Sequence, residues 1–197
     1  MAKIVIAYHS GFGHTKAIAE RVHAGAAGVN GVDATLLNVE ELPAPGADRS
    51  LGGRWGELNA ADAIIFGTPT YMGDVSWVFK RFMEYSSGIW FGQGWKDKIA
   101  AGFTNSGGLS GDKLQTLHTL MVFANQHSMI WVSTGVTPSI YTGDGKDLNR
   151  LSSYSGLMTQ ADQGPPDKTP PQGDRLSGEA FGARVAQATQ RWLAGKA

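Results

Sequence analysis

The residues best placed to do chemistry stand near the start of the chain, in the string Ser10-Gly11-Phe12-Gly13-His14-Thr15. Its two hydroxyls flank glycines that leave the backbone free to bend, a combination that can surround an anion with neutral donors. The string follows Ile4-Val5-Ile6-Ala7, an apolar run without alternation and therefore a strand covered on both faces. After it, Ile18, Val22, Ala26 and Val29 fall on one stripe of a helix. A turn between such elements aims backbone N–H groups and the positive end of a helix dipole at one point beyond the sheet. It is not a Walker loop, because no Gly-Lys-Ser/Thr closes it. It also fails the G-x-G-x-x-G fingerprint, since Lys16 stands where the third glycine belongs. What remains suits a terminal phosphomonoester; the plainer alternative is a turn in which Ser10 or Thr15 merely caps the helix.

Two other stretches offer donors in a similar setting. Gly67-Thr68-Pro69-Thr70-Tyr71-Met72-Gly73-Asp74 follows the apolar run Ala63-Ile64-Ile65-Phe66. Pro69 stiffens it, and the glycines permit close backbone approach. With a Thr hydroxyl and the large side chains of Tyr71 and Met72, it suits the face of a flat heteroaromatic ring. The third stretch is Thr104-Asn105-Ser106-Gly107-Gly108-Leu109-Ser110-Gly111, small and rich in donors. Each alone also reads as an ordinary turn or connection. Together they supply a phosphate cradle, a ring wall and amides for carbonyl edges, a set that matches flavin mononucleotide better than an adenine dinucleotide.

The elements that must position them alternate along the chain. Strand candidates are Ile4–Ala7, Ala34–Leu37, Asp62–Gly67, Lys98–Phe103 and Met129–Val132. Between them lie the first helix, a short helix over residues 57–60, one striped by Val75, Val78, Phe79, Phe82 and Met83, and one striped by Leu114, Leu117, Met121 and Ala124. Phe181, Val185, Ala188 and Trp192 stripe a closing helix, with Ser177 as its cap. This predicts an α/β fold: a doubly wound, five-stranded parallel sheet of order 2-1-3-4-5, with helices on both faces. Ligands in such sheets bind beyond the carboxyl ends of the strands, where strand order reverses. Residues 134–175, rich in Gly, Pro, Ser and Asp, read as one long loop insertion in a single domain over 1–197.

Composition limits the function classes. Lys plus Arg balance Asp plus Glu at 17 each, which argues against nucleic acid as partner and mildly against the acidic surface of an electron shuttle. There is no cysteine, so disulfides, thiolate catalysis and Cys-ligated metals are excluded, and no metal site is expected. The start in a strand, and the lack of any apolar run near ~20 residues, lead to the expectation of a cytoplasmic protein without membrane insertion.

The chain resembles the flavodoxin-like superfamily and, within it, the WrbA-type NAD(P)H:quinone oxidoreductases. The resemblance rests on residues 10–15, on Ala63 to Thr70, on Gly88-Ile89-Trp90 and on His127-Ser128-Met129. It covers nearly the whole chain and is weakest over residues 42–54 and 138–174. It implies FMN with its phosphate on Ser10 to Thr15, and its ring against Pro69, Thr70, Tyr71, Met72 and Gly73. The ring carbonyls and ribityl chain would lie near Asn105, Ser106, Gly107, Gly108, Leu109 and Ser110. Phe12 and Trp90 would wall the substrate pocket. His127, from a neighbouring subunit of a homodimer or homotetramer, would give a proton or hydrogen bond to a quinone; the duller reading is a cation at a helix C-terminus. Asp162 and Asp174 are further candidates for a neighbour's crevice. The implied activity passes two electrons from NAD(P)H to a quinone by ping-pong hydride transfer through flavin N5. A flavodoxin-type electron carrier and a reductase that releases reduced FMN are the alternatives. The chain differs from the family pattern in having Phe12 where Tyr is common, Tyr71-Met72 where Arg-Phe is common, and Leu109 within the glycine-rich loop.

Overall fold

The computed structural model describes residues 1–195. In chain order its elements are β1 (Ala2–Tyr8), α1 (His14–Ala27), β2 (Val32–Asn38), α2 (Trp55–Ala60), β3 (Ala63–Tyr71), β4 (Asp74–Val75) and α3 (Trp77–Tyr85). There follow α4 (Ser87–Phe91), β5 (Ile99–Ser106), α5 (Lys113–Gln126), β6 (Ile130–Trp131), α6 (Ser139–Thr142), β7 (Leu157–Gln160) and α7 (Gln172–Ala194).

β1 pairs in parallel with β2 on one side and β3 on the other, and β3 continues to β5. Beyond β5 the fifth position is shared. β6 lies beside the start of β5, with Ile99 opposite Ile130, and β7 lies beside its end, with Phe103 opposite Leu157. The expected order is thus observed, with its last strand divided in two by residues 132–156.

Alternate residues of the central strands feed two cores. Val5, Ala7, Ile64, Phe66 and Ala100 face α2, α3 and α5, which supply Trp55, Phe79, Phe82, Leu120 and Phe123. Ile4, Ile6, Ile65, Ala101 and Phe103 face α1 and α7, which supply Ile18, Val22, Phe181 and Val185. Both faces being covered explains the absence of polar alternation in these strands. Each Val, Ile, Leu or Phe among them contributes about 1.5–3 kcal/mol when fully buried. α1 and α7 approach backbone to backbone: a Cβ on Gly25 would lie 1.9 Å from Glu179 O, and one on Gly182 1.9 Å from Val22 O. Only glycine fits either place.

The structure corrects several expected boundaries. Residues 134–175 are not one structureless loop, since they contain α6, β7 and the start of α7. The buried Asn149 organises this stretch: its side chain donates to the carbonyls of Val136 and Ser153 and accepts from Ser153 N–H. Ser177 is not a cap, because α7 begins at Gln172 and the Ser177 hydroxyl donates to Gly173 O inside the helix. Val75 belongs to β4, and the cap of α3 is Ser76, whose Oγ accepts from Phe79 N–H at 3.2 Å. Among the described residues no helix is long and apolar enough to cross a membrane.

Candidate functional site

The three donor-rich loops leave the carboxyl ends of β1, β3 and β5 side by side. Tyr8 is opposite Gly67, and Gly67 is opposite Phe103, so the last residues of these strands form one sheet edge. A crevice of about 430 Å³ opens there. That falls within the ~300–1,000 Å³ usual for cofactor and substrate clefts. Ser10, Phe12, His14 and Thr15 line it from the first loop, Pro69, Thr70 and Tyr71 from the second, and Asn105, Ser106 and Gly107 from the third. Gly11, Gly13, Met72, Gly73, Gly108, Leu109 and Ser110 stand on the same loops without lining it.

The first loop is built to present donors. Gly13, at φ 89°, turns the chain into α1, and its N–H donates to Ser10 Oγ at 3.0 Å. The Ser10 hydroxyl proton remains available. Ala17 N–H makes the helix's first bond, to Gly13 O, so the N–H groups of His14, Thr15 and Lys16 have no partner within the helix. Among the described residues no Lys or Arg lines the crevice. A phosphate there is met by hydroxyls, amides and a helix dipole. Behind the loop, the buried His9 joins Ser76 Oγ at 2.7 Å, tying the first loop to the cap of α3.

The second loop is a tight hairpin. Tyr71 pairs with Asp74 across Met72 and Gly73, both at positive φ (49° and 84°), the pattern of a two-residue hairpin turn. Met72 therefore sits at the tip, fully exposed. Tyr71 turns back over the first loop, where a Cβ on Gly11 would lie 2.6 Å from its hydroxyl oxygen. Phe12 meets it edge-on, with ring centroids 6.2 Å apart. Burial pushes the Tyr71 phenol up, opposed by a hydrogen bond from the Gly11 backbone. Thr70 bonds the hydroxyls of Thr104 (2.8 Å) and Thr116 (2.7 Å), which fixes the floor.

The third loop is shaped from behind. Asn105 Oδ1 accepts from Thr159 at 2.9 Å, leaving its NH2 group for the crevice. Gln160 Nε2 donates to Gly107 O at 2.9 Å, and Lys113 Nζ donates to Ser106 Oγ at 2.8 Å and Gly108 O at 2.5 Å. Arg150 and Asp174 complete this layer: Arg150 binds both Asp174 oxygens (2.7 and 3.1 Å) and Gln160 Oε1 (3.0 Å). Burial drives Asp174 up, with the Arg150 bonds opposing. Burial also drives Lys113 down to about 8.

Sequence reasoning missed a fourth wall. Ala161, Asp162, Gln163, Gly164 and Pro166 line the crevice on the side of β7. His14 Nε2 donates to Gly164 O at 2.8 Å, and a Cβ on Gly13 would lie 2.6 Å from Pro166 Cγ. Arg175 holds the segment by donating to the carbonyls of Pro166 and Pro170. Asp162 thus belongs to this chain's own crevice. Asp174 is buried behind the third loop and open to no neighbour.

Two expected residues stand elsewhere. Trp90 lies on α4, between the end of α3 and the start of β5, at the opposite edge of the sheet; it is 42 % exposed and does not line the crevice. His127 ends α5 at that same far edge and is 1 % exposed, which corrects its expected approach to a quinone. Its ring packs against Trp95 and Phe123, with centroids at 4.5 and 4.8 Å. Ser86 gives its proton to Met83 O, so its oxygen accepts from His127 Nε2–H at 2.9 Å, and Nδ1 is left buried without a partner. Burial drives its pKa down to about 4. This is a neutral core histidine. The plainer, helix-end reading holds in position, since His127 is the C-cap of α5, but burial leaves the ring neutral and not a cation.

Comparison with known proteins matches this geometry. Residues 4–140 fit the family described as NADPH-dependent FMN reductase. Flavodoxin FldP of Pseudomonas aeruginosa (strain UCBPP-PA14) is 37 % identical over 193 residues, covering 97 % of this chain and 98 % of that protein. The crystal structure of the flavodoxin, WrbA-like protein from Agrobacterium tumefaciens is 40 % identical, covers 97 % of this chain and 99 % of that one, and superposes with a TM-score of 0.73. Oxidised Flavodoxin 1 from Bacillus cereus, at 16 % identity, 94 % and 98 % coverage and a TM-score of 0.63, shares the fold.

Proposed function

The chain belongs to the NADPH-dependent FMN reductase family, with a flavodoxin-like fold, and on that premise we propose that it is an FMN-dependent oxidoreductase carrying two electrons from NAD(P)H to a quinone. FMN, when bound, supplies the hydride and electron chemistry. Ser10, Thr15 and the free amides of α1 hold its phosphate. Phe12 and Tyr71 border its ring, and the donors of Asn105 and the third loop take its carbonyl edge. The wall of Ala161 to Pro166 excludes water from the phosphate side. Donor and acceptor use the remaining open face in turn, so kinetics are ping-pong.

One observation carries this reading: three loops with neutral donors converge on one crevice whose aromatic border suits flat, uncharged rings. Neutral net charge and a site lined by no lysine or arginine among the described residues fit a quinone better than a charged acceptor. A homodimer or homotetramer in the cytoplasm belongs to the same proposal. In such an assembly Trp90 has a route to a crevice, that of a neighbour.

A second reading, a flavodoxin-type electron carrier, is favoured by a different feature. Phe12, Met72 and Leu109 project from the three loop tips, 75 %, 103 % and 65 % exposed, an apolar rim fit to meet another protein. Steady-state turnover of NADPH and benzoquinone by the FMN-loaded protein separates the two. Ping-pong turnover supports the oxidoreductase; a yellow protein that is reduced chemically but never turns over supports the carrier. Loss of the colour on gel filtration would favour a reductase that releases its flavin.

A further inference from the structure

Behind the third loop lies a buried cation that neither the fold nor the phosphate site requires. Lys113 is 0 % exposed, and no carboxylate among the described residues lies within ion-pair distance of its ammonium. The nearest acid to act on it, Asp174, is already held by two bonds from Arg150 and one from Gln160 N–H. Burying an ammonium without a paired anion is costly, and such groups usually find a compensating charge nearby.

The direction of its hydrogen bonds shows where that charge would sit. Lys113 takes Gly108 O, and Gln160 takes Gly107 O. In a trans peptide the N–H points opposite to the carbonyl. With both carbonyls turned back, the N–H of Gly108 points away from Gln160 and that of Leu109 away from Lys113, and neither has a partner among the described residues. These are two amide donors, one backed by the Lys113 ammonium and the other by the Gln160 amide, an arrangement that stabilises a developing anion. Resting on the FMN reading above, the phosphate takes the first loop, and the acceptors of the ring lie only on its pyrimidine side. Donors of the third loop therefore meet that side. Two-electron reduction adds a hydride equivalent at N5 and leaves one negative charge spread over N1 and the C2 carbonyl.

We infer that Lys113 is a positioning residue that turns the Leu109 amide, beside the Gly108 amide that Gln160 turns, toward the flavin's pyrimidine edge and, through its charge, makes the site bind reduced anionic flavin more tightly relative to oxidised. Its lowered ionisation fits the same picture, since a charge arriving in front of the loop would restore the ammonium. By linkage, what stabilises the ammonium also stabilises the anion.

The test compares the FMN-loaded wild type with Lys113→Gln, Lys113→Met and Lys113→Arg by dye-coupled potentiometric titration at pH 7. The neutral variants should lose roughly tenfold in relative affinity for reduced flavin, a fall of about 30 mV for a two-electron couple. Lys113→Arg should recover most of it. A purely structural role would weaken both redox states alike and leave the potential in place. Should the neutral variants fail to fold, wild type carries the test between pH 7 and 9, with Arg150 and Asp174 as the other charges facing Lys113. Its potential should then fall more steeply with pH than that of Lys113→Arg. Unchanged potentials, or equal shifts in Gln and Arg variants, overturn the inference. A wild type that binds no FMN overturns the site reading itself, a distinguishable failure.

Discussion

Replacing His127 by phenylalanine decides whether this ring serves the substrate or the core. In the folded chain its imidazole stays neutral down to about pH 4, because burial among Trp95 and Phe123 disfavours the charge and Nδ1 has no acceptor. In the unfolded chain it takes a proton near pH ~6.5. Between those values the unfolded state binds more protons, so stability falls as pH drops through this window. The difference amounts to roughly 2 kcal/mol by pH 5 and about 3 kcal/mol by pH 4. Phenylalanine fills the same aromatic slot and cannot be protonated. It gives up the Ser86 bond, worth about 1 kcal/mol, while Ser86 keeps its bond to Met83 O.

Urea unfolding of both proteins at pH 7.5 and pH 5 reads the effect directly. The wild type should lose about 2 kcal/mol more than the variant over that interval. His9, whose ionisation burial also lowers despite Glu40 nearby, is present in both and cancels. Quinone turnover by His127→Phe should stay within about twofold of wild type, since the ring is buried against Trp95 and Phe123 and, unlike the half-exposed Trp90, has no surface to offer a crevice. A hundredfold fall in kcat, with fold and flavin content intact, would refute the core assignment. Equal acid sensitivity in both proteins would refute the charge argument.

Two further outcomes follow from the first loop. Ser10→Ala and Thr15→Ala should each weaken FMN by roughly 1.5–3 kcal/mol, the worth of a hydrogen bond to a charged group, and barely affect riboflavin. Fluorescence titration measures both ligands, and equal losses would place the phosphate elsewhere. Gly13→Ala meets a positive φ of 89° and the Pro166 ring, 2.6 Å from the new Cβ. It should cost about 1–2 kcal/mol in backbone strain alone, lower the thermal midpoint, and weaken FMN. Wild-type affinity with an unchanged midpoint would show that loop and wall move independently.

What the sequence disclosed, and what it hid, follows from burial. Ile4 to Ala7 and Ala63 to Phe66 lack alternation because helices cover both faces, so their strands and the three loops at their ends were legible. The divided fifth strand was not. β7 has four residues of alternating burial amid Gly, Ser and Pro, and the stretch leading to it is held by Asn149, a residue type that ordinarily signals a turn. Lys113 escaped notice because a lysine opening a helix reads as a solvated charge. His127 misled in the opposite sense: residue type and a resembling motif suggested chemistry, whereas its surroundings are Trp95, Phe123 and Ser86.

Whether residues 132–175 are decoration on the fold or part of its site is answered by where their hydrogen bonds end. Gln160, on β7, takes a carbonyl of the third loop; Arg150 and Asp174 hold Gln160. Gly164 O receives the proton of His14 in the first loop, and Pro166 occupies the space that Gly13 leaves. The Gln160 and Gly164 bonds join the segment to two donor loops, in addition to the pairing of β7 with β5. Removing β7 would leave the parallel pairs of β1, β3 and β5 in place, but it would free Gly107 O to rotate and take a donor away from the crevice. The segment therefore belongs to the site, and the crevice is the product of four chain segments meeting at one sheet edge.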